Sequence, residues 1–318
     1  MTKKKILLLI TLCLITHGML FSQTEEEKYA PFQLSFVPPL STNGLQAAQY
    51  TNGASLNVLL GVSKNETGFA LGGIANVMTN NASGLQIAGL ANYAGNEVDG
   101  VWLSGLINIV GNSHTGIQIA GLVNTAKDVS GIQIAGLVNV AEKVTGVQVG
   151  GLLNIAEESD YPVGLINLIR NGEKSVSITY NEIGSSVISF RSGGKHTYGI
   201  VGIGYNHKAT AHSFVIETGI GLHTNINPWF RINHELRNEF IGRITGSNRT
   251  DKVGYYLLPA FRIASHLEIF GGVSVNYMET KNSKHMDLFP GHSLWDRQVS
   301  SKLQQVFIGY QAGVQYLF

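Results

Sequence analysis

The residues best placed to do chemistry lie on one alternating stretch. Between 229 and 241, Arg231, Asn233, Glu235, Arg237 and Glu239 occupy every second position, with Phe230, Ile232, Leu236 and Phe240 between them. Successive side chains of a β-strand point to opposite faces. This spacing therefore puts guanidinium and carboxylate groups on one face and apolar side chains on the other. By the same alternation Glu217, Arg262 and Glu268 turn toward that charged side from neighbouring strands. Charges of both signs facing one interior support two readings. They form a constriction that selects solutes, as rings of charge do in pores, or they neutralise one another in a network that fills and stiffens the space. The mixed signs favour the network.

Other candidates are weaker. His234 and Asn238 lie four apart on the apolar face of the same stretch, where a serine–histidine–asparagine group acting on lipid would sit, but no serine is placed beside them. The remaining histidines, such as His196, His207, His212 and His285, stand near turns without metal-ligand spacing, and no phosphate loop or dinucleotide motif occurs. The sequence predicts no enzyme, cofactor or metal site. The longest loop, 279–303, carries Met286, Leu288, Phe289, Leu294 and Trp295 among polar residues. Long loops carry function more often than tight turns, so Met286, Phe289 and Trp295 are candidate contacts for a partner, with a packed lid or plug as the alternative.

The elements that must position these residues are β-strands. A repeat begins at Gly68, Gly84, Gly100, Gly116, Gly131 and Gly146, at spacings of 16, 16, 16, 15 and 15 residues; its clearest copies are GIQIAGLVNTA and GIQIAGLVNVA. Each unit has about 11 uncharged residues, the length of one tilted membrane-crossing strand, and the short turns between hold nearly all the charge. Within the Gly131 unit Ile132, Ile134, Val138 and Val140 share one face, and Gln133, Ala135, Leu137, Asn139 and Ala141 share the other. Gln86, Gln118, Gln133, Gln148 and the asparagines would then line a lumen wall. One strand per repeat is odd for a barrel built of hairpins, so a competing fold stays open. Parallel stacking would align Asn92, Asn108, Asn124, Asn139 and Asn154 into a ladder, giving a β-solenoid followed by a smaller barrel.

Beyond the repeats, strands are expected at 174–182, 186–192, 197–206, 213–223, 229–241, 253–264 and 267–278, then a final strand with Val306, Ile308, Tyr310, Ala312, Val314, Tyr316 and Phe318 on alternate positions. Pro259 inside one of them marks a bulge or an edge. Counting 32–39, 55–63, the repeats and 163–170 as strands gives an up-and-down antiparallel barrel of 16 or 18, since bacterial single-chain barrels have an even number.

The ends bound the location. Lys3, Lys4 and Lys5 precede an apolar run from Ile6 to Ile15, and Ser22 stands before Gln23. This is the pattern of a secretory signal peptide over 1–22, and the run is shorter than the ~20 residues a spanning helix needs. Leu12 before Cys13 argues against a lipoprotein. Removing the signal takes three lysines and the single cysteine, leaving 19 basic against 21 acidic residues, a charge of −2. No disulfide framework, cysteine nucleophile or basic nucleic-acid surface remains. A chain ending on Phe318 in an alternating strand carries the usual signal read by the barrel-assembly machinery.

The repeats, then DYPVGLINLIRNGEKSVSITYNEIG over 160–184, LLPAFRI from Leu257, and the opening segments QLSFVPPLSTNG and YTNGASLNVLLG, resemble a family of surface-repeat outer-membrane proteins of Bacteroidetes. The similarity covers most of residues 23–318. It implies an outer-membrane β-barrel and carries no catalytic residues. The expectation is a non-enzymatic barrel among outer-membrane lipids, a porin-like channel for a small solute or a structural wall protein, with a surface adhesin or ligand-binding protein acting through outer loops as the alternative.

Overall fold

A computed structural model describes residues 27–209, 214–242, 249–281, 287–289 and 291–318. The expected signal peptide and its cleavage site lie outside the described residues.

The repeats do not cross as single strands of one large barrel. Each unit breaks at a Gly–Leu bend into a long and a short strand, as in Asp128–Ala135 and Val138–Val140 around Gly136 and Leu137. Long strands pair in parallel with long strands, Ile117 on Ile132 and Gln118 on Gln133. Short strands pair with short strands, Asn124 on Asn139. Residues 28–169 thus stack as a two-sheet parallel solenoid, and the expectation of 16–18 antiparallel strands over 23–318 gives way to the competing fold. The glycines explain why. A Cβ at Gly136 would stand 2.1 Å from the Gly121 carbonyl oxygen in the coil below. In-register stacking at the ~4.8 Å strand spacing needs glycine at that point of every coil, which an antiparallel barrel does not. The bend also turns Leu137 outward, away from Gln133 and Asn139 with which it was expected to share a face.

The asparagine ladder forms and is longer than expected, running from Asn57 to Asn167. Asn108, Asn124 and Asn139 each donate from Nδ2 to the Oδ1 of the next at 2.9–3.0 Å. Their second proton goes to a backbone carbonyl, Asn124 to Ile134 at 2.7 Å. No amide proton is left over, so amides that would be costly alone in a core are satisfied together. Asn124→Ala strands the amide of Asn108, the Oδ1 of Asn139 and the Ile134 carbonyl. At ~1–3 kcal/mol per unpaired buried group, a loss of about 3 kcal/mol is expected in denaturant unfolding, with little change for the outward neighbour Thr125→Val.

One core residue fits its column poorly. His114 is buried between Val98 and Val129, edge-on to Trp102 at 6.3 Å. Burial pushes its imidazole down to about 4. A base harder to protonate when folded gives stability that is complete above its unfolded value of ~6.5 and declines as pH falls toward 4. His114→Val, which continues the valine column, is expected to raise stability at pH 4.5 more than at pH 7; thermal unfolding at the two pH values measures it.

The second half is a closed antiparallel barrel of eight strands: β1 (Lys174–Asn181), β2 (Ser185–Gly193), β3 (Thr197–Asn206), β4 (Phe214–Asn227), β5 (Phe230–Gly242), β6 (Arg249–Ala264), β7 (Leu267–Lys281) and β8 (Lys302–Leu317). β1 pairs with β8 from Ser175↔Leu317 to Asn181↔Gln311, closing the ring. These strands agree with the sequence reading to within a few residues. At Pro259, which has no N–H, the β6–β7 pairing is interrupted between Leu257↔Val273 and Ala260↔Phe270 while the register is unchanged. Three short turns and both barrel termini share one end, and the short β1–β2 turn and the longer connections share the other. At the short-turn end the β2–β3 hairpin caps the solenoid. Asn167 donates from its backbone N–H to Ser192 Oγ and from Nδ2 to the Ser192 carbonyl, both at 3.0 Å, and Thr197 Oγ1 donates to the Pro162 carbonyl at 2.7 Å. The ladder's last rung is thereby satisfied, and the open coil is covered as solenoid ends must be.

Candidate functional site: the ion-paired barrel lumen

An eight-strand barrel has an interior about wide enough for side chains to fill, and this one is filled. Inward positions come from the strand alternation, which places Glu217, Arg231, Glu235, Arg237, Glu239 and Glu268 inside as the sequence predicts, all nearly fully buried. Arg262 sits at the rim instead, its side chain 37% exposed, because the register shifts beyond it.

The filling is layered. In the middle, Arg237 pairs with Glu235 and with Glu217 at 3.1 Å, donates to Gln311 Oε1 at 2.9 Å, and lies over the Tyr256 ring at 4.8 Å. Arg191 approaches Glu235 at 3.3 Å, Ser189 Oγ donates to Glu217 at 2.6 Å, and Tyr198 donates to Glu235 at 2.5 Å. Toward the long-connection end, Lys252 bridges Glu182 at 3.1 Å and Glu239 at 3.0 Å, and Asn181 Nδ2 donates to Glu239 at 2.8 Å. Beyond lies an apolar plug: Leu288 is buried among Ile183, Val187, Ile241, Met278 and Phe307.

At the short-turn mouth Arg231 holds Glu173 at 2.8 Å and Glu268 at 3.0 Å, and His223 stacks on Tyr198 at 4.3 Å. Glu173 lies in the connection before β1. Burial pushes its carboxyl up, but the Arg231 hydrogen bond and charge, helped by His223 and Arg262, outweigh that and hold it below the ordinary carboxylate range. A cavity of about 530 Å³ opens here between the last coil, through Glu158 and Asp160, and the barrel residues Arg231 and Arg262.

Alternation missed several members. Arg191 shares the inward phase of Val187 and Ser189, and Lys252 that of Tyr256 and Leu258, so both were recoverable from the pattern. Glu182 sits past the end of β1, where no periodicity applies. His234 and Asn238 face outward, and His234 Nδ1 meets the Tyr255 hydroxyl at 2.8 Å rather than a serine. A serine–histidine contact, Ser186 Oγ to His207 Nε2 at 2.9 Å, occurs on other strands. Of the outer-loop candidates, Met286 lies outside the described residues. Phe289 packs on Phe307 at 4.9 Å, so this part of the loop forms the lid. Trp295 is half exposed on a strand paired with the start of β8. Among the described residues no group of three or more His, Cys, Asp or Glu side chains is arranged to hold a metal ion.

The fold and site define an all-β protein with a closed, side-chain-filled barrel behind a parallel solenoid. No family model matches the chain, and no curated protein matches it. A solved structure reported as "De novo design of transmembrane beta-barrels" is similar to part of it, at 17% identity over 46% of this chain and 93% of that one, with a TM-score of 0.27.

Proposed function

We propose that the chain is a non-enzymatic outer-membrane protein whose barrel is a closed anchor carrying the solenoid, a structural wall protein rather than a porin-like channel. The observation that carries this reading is the lumen: paired charges in the middle and mouth, with an apolar plug across the other end. The outer surface supports a lipid setting. Outward positions such as Ile188, Ile203, Val273, Val275 and Ile308 are exposed and apolar, as lipid-facing strands require. Aromatic residues gather toward both ends, Trp229, Phe261, Tyr316 and Phe318 at one and Tyr180 and Tyr205 at the other, matching the girdles of membrane barrels. On this reading Phe318 presents the strand that the barrel-assembly machinery takes up, and the signal peptide delivers the chain for export.

Planar-bilayer recording of the refolded protein tests the anchor. Insertion is shown independently by heat-modifiable migration on a gel. The expected record is silent, whereas discrete conductance steps from the inserted protein would establish an open lumen and reject the anchor in favour of a channel.

A further inference from the structure

The solenoid is apolar outside as well as inside. Its interior carries buried amides beside an apolar cluster that includes Val98, Trp102, Val129 and Val144, and apolar columns run along its exterior over all the coils. Two outward columns of the long sheet, in register with Ile117 and Ile119, contain only Phe, Leu, Ile, Val, Ala and Tyr from Phe32 to Val163, while the outward column of Ser83, Asp99, Thr115, Ser130 and Thr145, nearer the charged turns, is polar. The two outward columns of the short sheet are apolar except at Thr125. The bend between the sheets projects a third kind of row: Ile74, Leu90, Leu106, Leu122, Leu137 and Leu152, all exposed. Charge is confined to the opposite edge, at Glu97, Asp99, Lys127, Asp128, Glu142 and Lys143. A soluble monomer commonly exposes contiguous apolar patches on the order of only a few hundred Å².

We propose that this surface contacts lipid acyl chains: the solenoid lies as a wedge in the leaflet next to the barrel's short-turn end, bends inward and charged turns at the headgroups. The inference rests on the membrane-anchor reading of the barrel and extends it to the repeats. Three observations favour lipid as the occupant. The apolar surface continues onto the barrel wall, because a groove at the junction is lined by Val163 of the last coil together with Ile220, Leu222 and Leu236 of the barrel's outer face. The charges form one edge, as they do on a body half-sunk in a bilayer. The depth also fits: the apolar stretch from Ile117 to Leu122 spans about 17 Å at ~3.3 Å per residue, close to half of a ~30 Å hydrocarbon core.

Single cysteines at Leu122→Cys, Leu137→Cys, Lys127→Cys and Val275→Cys, each in a full chain carrying Cys13→Ser, test it. Each is labelled with an environment-sensitive fluorophore in phosphatidylcholine–phosphatidylglycerol vesicles and quenched by acyl-chain nitroxide or by aqueous iodide. The expected result is loss of emission to nitroxide at Leu122 and Leu137, as strong as at the barrel position Val275, with loss to iodide only at Lys127. Iodide quenching at Leu122 and Leu137 with nitroxide quenching at Val275 overturns the wedge and leaves the barrel anchor standing. Protection of Leu122 and Leu137 from both quenchers also overturns it and assigns the surface to a protein cover, such as a second copy. Iodide quenching at Val275 overturns both readings.

Discussion

Arg237→Met is expected to lower barrel stability by about 3–5 kcal/mol, the usual cost of removing one partner from a buried ion pair. Arg237 is buried together with Glu217 and Glu235 and neutralises both. Its loss leaves two carboxylates in the lumen with only Arg191, at 3.3 Å from Glu235, as a nearby cation. Combining Arg237→Met with Glu217→Gln removes one charge of each sign, leaves Glu235 paired with Arg191, and is expected to recover most of the loss, because a buried ion pair replaced as a whole costs little. Arg249→Met breaks a partly exposed pair with Asp251 and is expected to cost no more than ~1 kcal/mol. Denaturant unfolding in detergent micelles, followed by gel migration, compares the variants. Equal losses at Arg237 and Arg249 would mean the lumen is hydrated rather than filled.

Gly131→Val should do comparable damage to the solenoid for a different reason. Gly131 has φ +134°, and a Cβ there would stand 2.1 Å from the Gly116 carbonyl oxygen. The backbone conformation alone costs a side chain ~1–3 kcal/mol, and the contact requires that two coils separate. Each coil rests only on its neighbours, so parting one pair exposes the strand edges on both sides. A loss of about 4 kcal/mol or more is expected, read as new protease cleavage near residues 116–131 while the barrel keeps its heat-modifiable migration. Gly44→Ala separates conformation from crowding. Gly44 has φ +57° with nothing within 4 Å of a built Cβ, so that change is expected to cost only ~1–2 kcal/mol.

The barrel strands were legible because outward and inward positions alternate, and six of the seven charges that this alternation assigns to the interior lie in the lumen. The repeats were harder for a physical reason. The bend at Gly136 and Leu137 spans two residues, so Gln133 and Asn139 point inward whether the unit is one straight strand or two strands around a turn. Only Leu137 changes side, and period-two alternation is blind to one residue. What distinguishes the folds is identity across coils. A parallel stack brings Asn against Asn and Gly against Gly, as the ladder from Asn57 to Asn167 and the carbonyl contacts at Gly121 and Gly136 require. An antiparallel barrel has no use for such columns, and their presence in every unit was the available signal. Glu182 and Leu288 could not have been placed from sequence, since one follows a strand end and the other folds in from a long loop.

The register of the repeats is the most direct test of this architecture. Oxidative cross-linking of Ile117→Cys with Ile132→Cys, in the Cys13→Ser chain, probes two outward residues that pair directly in the parallel stack, at a Cα separation of ~5 Å that a disulfide spans. A hairpin folded at 127–130 would instead bring Ile117 beside Val140 and hold Ile117 and Ile132 about 26 Å apart. Efficient cross-linking of 117 with 132, and none for Ile117→Cys with Val140→Cys, is the expected result. Cross-linking of 117 with 140 alone would contradict the solenoid and return the repeats to the wall of a larger barrel.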